Sequence, residues 1–230
     1  RQMCIRDSYQ ADIDVIGDGK LDIMNEAEIP SIICRAFTRL GLEDFTIRIN
    51  NRKVLGGFFA MHGMGAPAEI LRTVDKLEKI GADKVREIPL GDCGLDAAQA
   101  DAVLGFISFE GTTAEKLSFL EGMGGRNELF DTGVRELRTV AEALPGLGVP
   151  EERFAIDLTI ARGLDYYTGT VYETTINSHP EIGSVCSGGR YDNLAEYYTD
   201  RALPGVGISI GVTRLFYVLS EQGLLNPELA

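Results

Sequence analysis

The chain has 230 residues, of which 44% are hydrophobic and 25% are charged. This composition excludes a disordered segment, and the length fits one sizeable domain or one domain with an insertion. The net charge of −13 disfavours binding of nucleic acid by this chain alone, because such affinity rests mainly on Lys and Arg neutralising phosphates. Contact with RNA therefore requires a local basic patch or a further domain.

The few cysteines and histidines predict no metal site. They are widely separated and form no CxxC pair or zinc knuckle: Cys4, Cys34, Cys93, Cys186, His62 and His179. Reduced, buried thiols are the expectation, and the sequence contains neither an apolar run of membrane-spanning length nor a signal peptide. These features predict a cytoplasmic protein that does not enter membranes.

The first elements are predicted to be strand, helix and strand. Residues 9–16 alternate, with Gln10, Asp12 and Asp14 on one polar face. Residues 23–40 have helical spacing, and Pro30 is expected near the first turn of this helix because proline lacks an N–H donor. Residues 45–50 alternate again, as expected of a second strand.

Residues 56–150 show helical rather than alternating patterns, and we expect a helical insertion subdomain here. It would divide a β-rich core into a first part, residues 1–55, and a second part, residues 151–230. Two apolar stripes support the prediction: Ile70, Val74 and Leu77, and Phe130, Val134, Leu137, Ala141 and Leu144.

The last third predicts strands at residues 154–160, 169–177, 183–194 and 205–210, followed by a helix at 212–219. Leu215, Phe216 and Leu219 are expected to face inward on that helix. Strands joined by short glycine-containing turns indicate a mainly antiparallel sheet and the α+β class.

Residues 161–170 combine Arg162 with Asp165, Tyr166 and Tyr167, offering a fixed cation and aromatic hydroxyls to a small anionic ligand. The alternative is an ordinary hairpin with an exposed ion pair.

Residues 186–194 place Gly188 and Gly189 before Arg190, Tyr191 and Asp192. Adjacent glycines allow a ligand to approach the backbone, although a β-bulge would use them as well.

The segment 205–214 is a strand leading into a helix, with Arg214 in the first turn. It matches neither a P-loop nor GxGxxG, and Arg214 taken alone is a surface residue.

Taken in order, four segments resemble the histidyl-tRNA synthetase family of class II aminoacyl-tRNA synthetases: YQADIDVIG, RGLDYYTGTVYE, GGRYDNL and GVGISIGVTRL. The resemblance implies the class II catalytic core, an antiparallel sheet flanked by helices, with the family's helical insertion at 56–150. It also implies activation of histidine by ATP, with Mg²⁺, and transfer to tRNA(His) by a homodimer.

The resemblance implies roles for individual residues. Arg162 matches the family's catalytic arginine, beside the α-phosphate and the substrate carboxylate, and Arg214 matches the motif 3 arginine that contacts ATP. Asp14 matches a carboxylate for the imidazole N–H, and it is one methylene shorter than the usual Glu. The other residues implied in histidine binding are Gln10, Tyr166, Tyr167, Gly188, Gly189 and Tyr191.

The sequence departs from the family pattern at both ends. Motif 1 and the Arg-Glu pair of motif 2 are missing before Tyr9, and residues 1–8 look foreign to the family, as translated adapter or vector sequence would. The anticodon-binding domain that the resemblance implies after the core is not expected within these residues. We therefore expect a fragment that is inactive alone.

Two other functions fit parts of the same pattern. The synthetase-like regulatory subunit of ATP phosphoribosyltransferase shares the core, but it does not need a complete set of residues facing histidine and ATP. A nucleotide-binding domain of other chemistry is the third possibility. The synthetase is favoured by the joint presence of six residues: Gln10, Asp14, Arg162, Tyr167, Tyr191 and Arg214.

Overall fold

A computed structural model of the chain describes residues 8–65, 70, 94–160 and 166–225. The strands in this part are β1 (Gln10–Ile16), β2 (Phe45–Asn51), β3 (Phe154–Ile156), β4 (Thr170–Ile176), β5 (Ser184–Tyr191) and β6 (Gly205–Gly211). The α-helices are α1 (Met24–Arg39), α2 (Arg52–Met61), α3 (Ala97–Ile107), α4 (Thr113–Gly122), α5 (Glu128–Ala143) and α6 (Val212–Glu221). Short 3₁₀ turns lie at Pro145–Leu147, Glu151–Arg153, Pro180–Ile182 and Leu194–Tyr197.

The strands form one six-stranded sheet in the order β1-β6-β5-β4-β2-β3. All neighbouring strands pair antiparallel except β2 and β3, which are parallel. The mainly antiparallel sheet and the α+β class are therefore confirmed.

The strand register separates a covered face of the sheet from an open face. Asp14 pairs with Gly207, and Gly207 pairs with Gly189, so these three residues share the open face. Apolar residues of alternate parity, such as Ile49 and Ile208, are buried in one hydrophobic cluster with α1, α2 and α5. The helices thus cover one face, and the candidate site residues Gln10, Asp14 and Tyr191 belong to the other.

The predicted helix is confirmed as α1, and Pro30 lies in its second turn, although proline is expected to be tolerable only near the first turn. Proline cannot donate the N–H that would normally reach the carbonyl of Glu26. The Tyr172 hydroxyl donates to this carbonyl instead, with an O···O distance of 2.7 Å. The sheet therefore supplies the hydrogen bond that the helix lacks.

The described part of residues 56–150 is helical, and the second predicted stripe, from Phe130 to Leu144, is buried. Val74 and Leu77 of the first stripe lie outside the described residues, whereas Ile70 is buried. Helix α5 packs against α1, α2 and β2, so it shares the core of the sheet. The division of the chain at 56 and 150 stays a prediction.

Two predicted details near the ends of elements were wrong. Strand β3 ends at Ile156 because Asp157 accepts hydrogen bonds from the backbone N–H and hydroxyl of Thr159, which turns the chain. In α6, Leu215 and Leu219 are buried, but Phe216 is 59% exposed. The apolar stripe of this helix is completed by Val218 instead, which follows Leu215 by three positions.

Candidate functional site

Three glycines on the open face of the sheet make room for three side chains of the candidate site. A Cβ on Gly207 would lie 2.0 Å from Oδ1 of Asp14, and a Cβ on Gly205 would lie 2.3 Å from the Tyr191 ring. At Gly189 the Tyr167 ring would be 3.0 Å away. The glycines therefore let a carboxylate and two aromatic rings lie directly on the strands.

Hydrogen bonds connect these side chains. The Tyr191 hydroxyl donates to Oδ1 of Asp14 over 2.6 Å, and the Tyr166 hydroxyl donates to that of Tyr167 over 3.1 Å. The rings of Tyr166 and Tyr167 are 4.3 Å apart between centroids. A carboxylate accepts several hydrogen bonds, so Asp14 keeps acceptor capacity for an N–H group of a ligand.

Two tyrosines of the site, Tyr167 and Tyr191, are held in their neutral form. Burial raises the pKa of Tyr167, and the neighbouring Tyr166 and Asp14 raise it further. Burial, followed by the hydrogen bond to Asp14, also raises the pKa of Tyr191. Both hydroxyls therefore remain hydrogen-bond donors at neutral pH.

A cavity of about 230 Å³ lies beside these residues, with Ile160, Tyr166, Tyr167, Val171 and Ser187 in its lining. It is smaller than the pockets that hold drug-sized ligands, which suits a ligand of amino-acid size. A second cavity, of about 870 Å³, lies between α4, α5 and β3, and none of the predicted site residues line it.

Gln10 and Arg214 lie toward the other end of the open face. Gln10 pairs with Gly211, four positions along β1 from the pairing of Asp14, which corresponds to about 13 Å of strand. Arg214 is exposed, and its Nη1 donates to the carbonyl of Ser184 over 2.8 Å. The predicted site residues are thus distributed along one strand direction.

Arg162 and Gly188 are two of the predicted site residues that do not contribute a described side chain to the open face. Arg162 lies outside the described residues, although the described residues on either side, Ile160 and Tyr166, both line the smaller cavity. Gly188 lies against β6, where a Cβ would be 2.0 Å from the carbonyl oxygen of Gly207. Close strand approach therefore requires glycine at this position.

Ser209 is a residue that the sequence reasoning missed. It pairs with Asp12 on one side and Ser187 on the other, so it belongs to the open face. Its buried hydroxyl has no hydrogen-bond partner among the described residues. A serine within an otherwise apolar and glycine-rich strand was the available signal.

An ion-pair network behind the site was also missed. Nη1 of Arg190 contacts Oε1 of the fully buried Glu26 over 2.7 Å, and Nε contacts Oδ1 of Asp192 over 2.9 Å. Burial raises the pKa of Glu26, while hydrogen bonds from Thr170 and Arg190 oppose this shift. No local pattern in the sequence signals this pairing, because Glu26 and Arg190 are 164 positions apart.

Metal and membrane sites can be assessed only within the described ranges. There, no group of three acidic, histidine or cysteine side chains is arranged to hold a metal ion. No helix in the same ranges combines the length and hydrophobicity needed to cross a membrane.

Comparison with known proteins identifies the family of the chain. A family model described as histidyl-tRNA synthetase matches residues 2–215. A histidine–tRNA ligase from Clostridium tetani is 56% identical over 97% of the chain and 51% of the relative. The chain thus spans about half the length of such relatives.

Solved structures show the same relationship. The crystal structure of histidyl-tRNA synthetase from Nostoc sp. PCC 7120 matches with a TM-score of 0.89 and 44% identity, over 95% of this chain and 52% of that one. A structure from Bacillus halodurans, titled as an ATP phosphoribosyltransferase regulatory subunit/histidyl-tRNA synthetase, matches with a TM-score of 0.70 and 24% identity. That match covers 89% of this chain and 51% of the other, and at this identity it shows the fold alone.

Proposed function

The chain belongs to the histidyl-tRNA synthetase family, and from this premise we propose that it supplies the histidine-activating site of a histidine–tRNA ligase. The observation that carries the proposal is the Asp14 carboxylate, which rests over Gly207 and accepts a hydrogen bond from Tyr191. A carboxylate fixed beside aromatic rings suits a flat ligand that carries an N–H donor, as imidazole does.

Recognition of histidine would use both ends of the imidazole ring. Asp14 would accept one N–H, and the neutral hydroxyl of Tyr167 would donate to the other ring nitrogen. The raised pKa of Tyr167 supports this role because the hydroxyl keeps its proton. Such a pairing favours one neutral tautomer of the ring.

The positions of Asp14 and Gln10 along β1 suggest where ATP would bind. The stretch of about 13 Å between Asp14 and Gln10 is of the length that an amino acid joined to a nucleotide needs. With the imidazole at Asp14, the nucleotide would lie toward Arg214, which retains guanidinium donors beyond the one bonded to Ser184.

The reaction proposed at this site is adenylate formation. An oxygen of the histidine carboxylate bonds to the α-phosphorus of ATP, and the bond from that phosphorus to the bridging oxygen of the β-phosphate breaks, releasing pyrophosphate. Two anions meet in this step, so fixed positive charge and positioning matter more than a general base. Arg162 is proposed as the catalytic cation, and Arg214 as an ATP-binding residue.

Mg²⁺ is proposed to arrive with ATP rather than in a cage made by the protein. The described residues hold no cluster of three metal-ligating side chains, and Mg²⁺ commonly keeps waters and phosphate oxygens as ligands.

The whole protein is proposed to transfer the histidyl group to tRNA(His) as a cytoplasmic homodimer. The charge of −13 makes this chain a poor binder of RNA by itself, so tRNA contacts would need a local basic patch or other parts of the protein. The alternative, a regulatory subunit of ATP phosphoribosyltransferase, would not catalyse adenylate formation.

Histidine-dependent exchange between ATP and labelled pyrophosphate tests the proposal, in a full-length protein that carries this chain. Exchange is expected with histidine and not with histidinol, which lacks the carboxylate. Binding of histidine without any exchange would favour the regulatory subunit.

Substitution of Arg162 tests the catalytic assignment in the same assay. Arg162→Ala is expected to lower kcat by about 10²–10³-fold, because one preorganised charge is lost, while the Kd of histidine by calorimetry changes far less. Arg201→Ala is the matched control, since Arg201 is exposed and pairs only with Asp18 among the described residues. A pure binding defect with normal kcat would contradict the role of Arg162.

A further inference from the structure

The guanidinium of Arg190 connects the end of β5 to the residues at the start of α1, behind the candidate site. Its Nη1 and Nη2 each donate to the carbonyl of Leu21 over 3.2 Å, in addition to the contacts with Glu26 and Asp192. The side chain is only 15% exposed. A planar group with several donors in a fixed fork can make these contacts at once, which a lysine ammonium cannot reproduce.

Asp192 extends this contact to the segment that carries the site tyrosines. The Thr168 hydroxyl donates to Oδ2 of Asp192 over 2.5 Å, while the Thr168 N–H donates to the carbonyl of Arg190 over 2.8 Å. Thr168 is therefore held by both its backbone and its side chain. It directly follows Tyr167, whose ring lies over Gly189.

Strand alternation places this network directly behind the binding residues. Tyr191 lies between Arg190 and Asp192 in the chain, and its hydroxyl reaches Asp14 on the open face. Arg190 points to the covered face, where it meets Glu26 of α1. The contacts of Arg190 and Asp192 thus restrain the backbone on both sides of Tyr191.

We propose that Arg190, through Asp192 and Thr168, is a positioning residue that fixes Tyr167 and Tyr191 for recognition of the histidine ring. This inference rests on the proposed function, because it assigns a specificity role within the same site. Arg190 itself would touch neither histidine nor ATP.

Two contacts of the network allow a positioning role to be distinguished from a contribution to stability alone. Glu26 connects Arg190 to α1, and this contact contributes to the core. The hydrogen bond from Thr168 to Asp192 instead joins the two residues that directly follow Tyr167 and Tyr191. Loss of the Thr168 hydroxyl should consequently act on histidine recognition more than on the fold.

The test uses Thr168→Val and Thr168→Ser in a full-length protein that carries this chain. Valine keeps the shape of the side chain and removes the hydroxyl, and it is expected to raise the KM for histidine by about 5–10-fold. The KM for ATP should change less than twofold. Serine restores the hydroxyl, so Thr168→Ser is expected to recover the KM of the parent.

Ile33→Val is the matched control for stability. Ile33 is fully buried in α1, and removal of one methylene there lowers the unfolding temperature without a connection to the site. At a temperature well below both unfolding transitions, this variant should keep the KM values of the parent. An equal rise of the histidine KM in Ile33→Val and Thr168→Val would overturn the positioning role.

Failure of the proposed function gives a different result. A parent protein without histidine-dependent exchange would reject the function, and the inference would then be decided by crystal structures of the parent and of Arg190→Met. Separation of the Tyr191 hydroxyl from Asp14, well beyond 2.6 Å, would support positioning by Arg190. An unchanged contact would overturn it.

Discussion

The two faces of the sheet differ in how far their polar groups are hydrogen-bonded within the protein. On the covered face, the buried Glu26 finds Arg190 and the Thr170 N–H, so its charge is fully engaged within the protein. On the open face, Asp14 keeps acceptor capacity and Ser209 keeps a hydroxyl without a described partner. The first arrangement serves the fold, and the second leaves hydrogen-bonding groups for a ligand.

Glycine placement follows the same division. Where the open face must accommodate Asp14 and Tyr191, the strand beneath them has Gly207 and Gly205 instead of larger residues. The covered face at the neighbouring positions carries Val206 and Ile208, which are buried in the core. Alternation along β6 thus separates residues that make room for the site from residues that stabilise the sheet.

Breaking the ion pair on the covered face should have the largest effect on stability. Glu26→Ala leaves the partly buried Arg190 without its main counter-charge, and we expect a loss of about 3–5 kcal/mol in the free energy of unfolding. Urea unfolding measures the difference. Glu28→Gln, on the exposed side of α1, is the control and should change the free energy by less than about 0.5 kcal/mol.

The pH dependence of the free energy of unfolding of Glu26→Ala tests whether the pKa of Glu26 is raised. Because burial raises the pKa of folded Glu26 above its ordinary value of 4.5, the stability that Glu26 contributes is largest below that value. It decreases as the pH rises through the raised pKa. The gap between Glu26→Ala and the parent should therefore shrink from acidic toward neutral pH, and a gap that widens would contradict the raised pKa.

On the open face, Asp14→Asn should act on ligand recognition instead. A hydrogen bond to a charged group contributes about 1.5–3 kcal/mol, which corresponds to a rise of roughly 10–100-fold in the KM for histidine. The KM for ATP should change little in pyrophosphate exchange. Asp12→Asn, two positions away on the same strand face, is the control, and equal effects on both KM values would reject the role of Asp14.

Gly207→Ala tests whether the position of Asp14 depends on the absence of a side chain at residue 207. The added Cβ would meet Oδ1 of Asp14 and the carbonyl of Ile13, so overpacking should lower the free energy of unfolding by about 1–3 kcal/mol. The KM for histidine should rise with it. Gly105→Ala in α3 has open space around its Cβ and should be neutral or slightly stabilising. Tight binding of histidine by Gly207→Ala would show that Asp14 does not need its present position.

The smallest expected effect concerns the hydrogen bond between sheet and helix. Tyr172→Phe leaves the buried carbonyl of Glu26 without a donor, because residue 30 is proline, and we expect a loss of about 1–2 kcal/mol. Adding Pro30→Ala restores an N–H donor and should recover part of the loss. Strictly additive free energies in the double variant, measured by urea unfolding, would contradict this compensation.

Much of the fold could be predicted from the sequence because its signals are local. Alternation in β1 and β2 and the apolar stripe of α5 follow from the period of each element, and the structure confirms them. The family segments likewise placed Asp14 and Tyr191 in one site, and the structure brings these side chains into contact. The roles assigned to them stay predictions.

Tertiary contacts decided what local patterns could not. Two mispredicted details are exceptions that have local causes: strand β3 stops at Ile156 because Asp157 accepts hydrogen bonds from Thr159, and Phe216 stays exposed because Val218 completes the buried stripe. Pro30 is tolerated within α1 because Tyr172, distant in sequence, donates the missing hydrogen bond. The pairing of Glu26 with Arg190 arises in the same way, because the register of the sheet and the packing of α1 bring the two charges together. Local sequence patterns cannot predict such a contact, since the two residues are 164 positions apart.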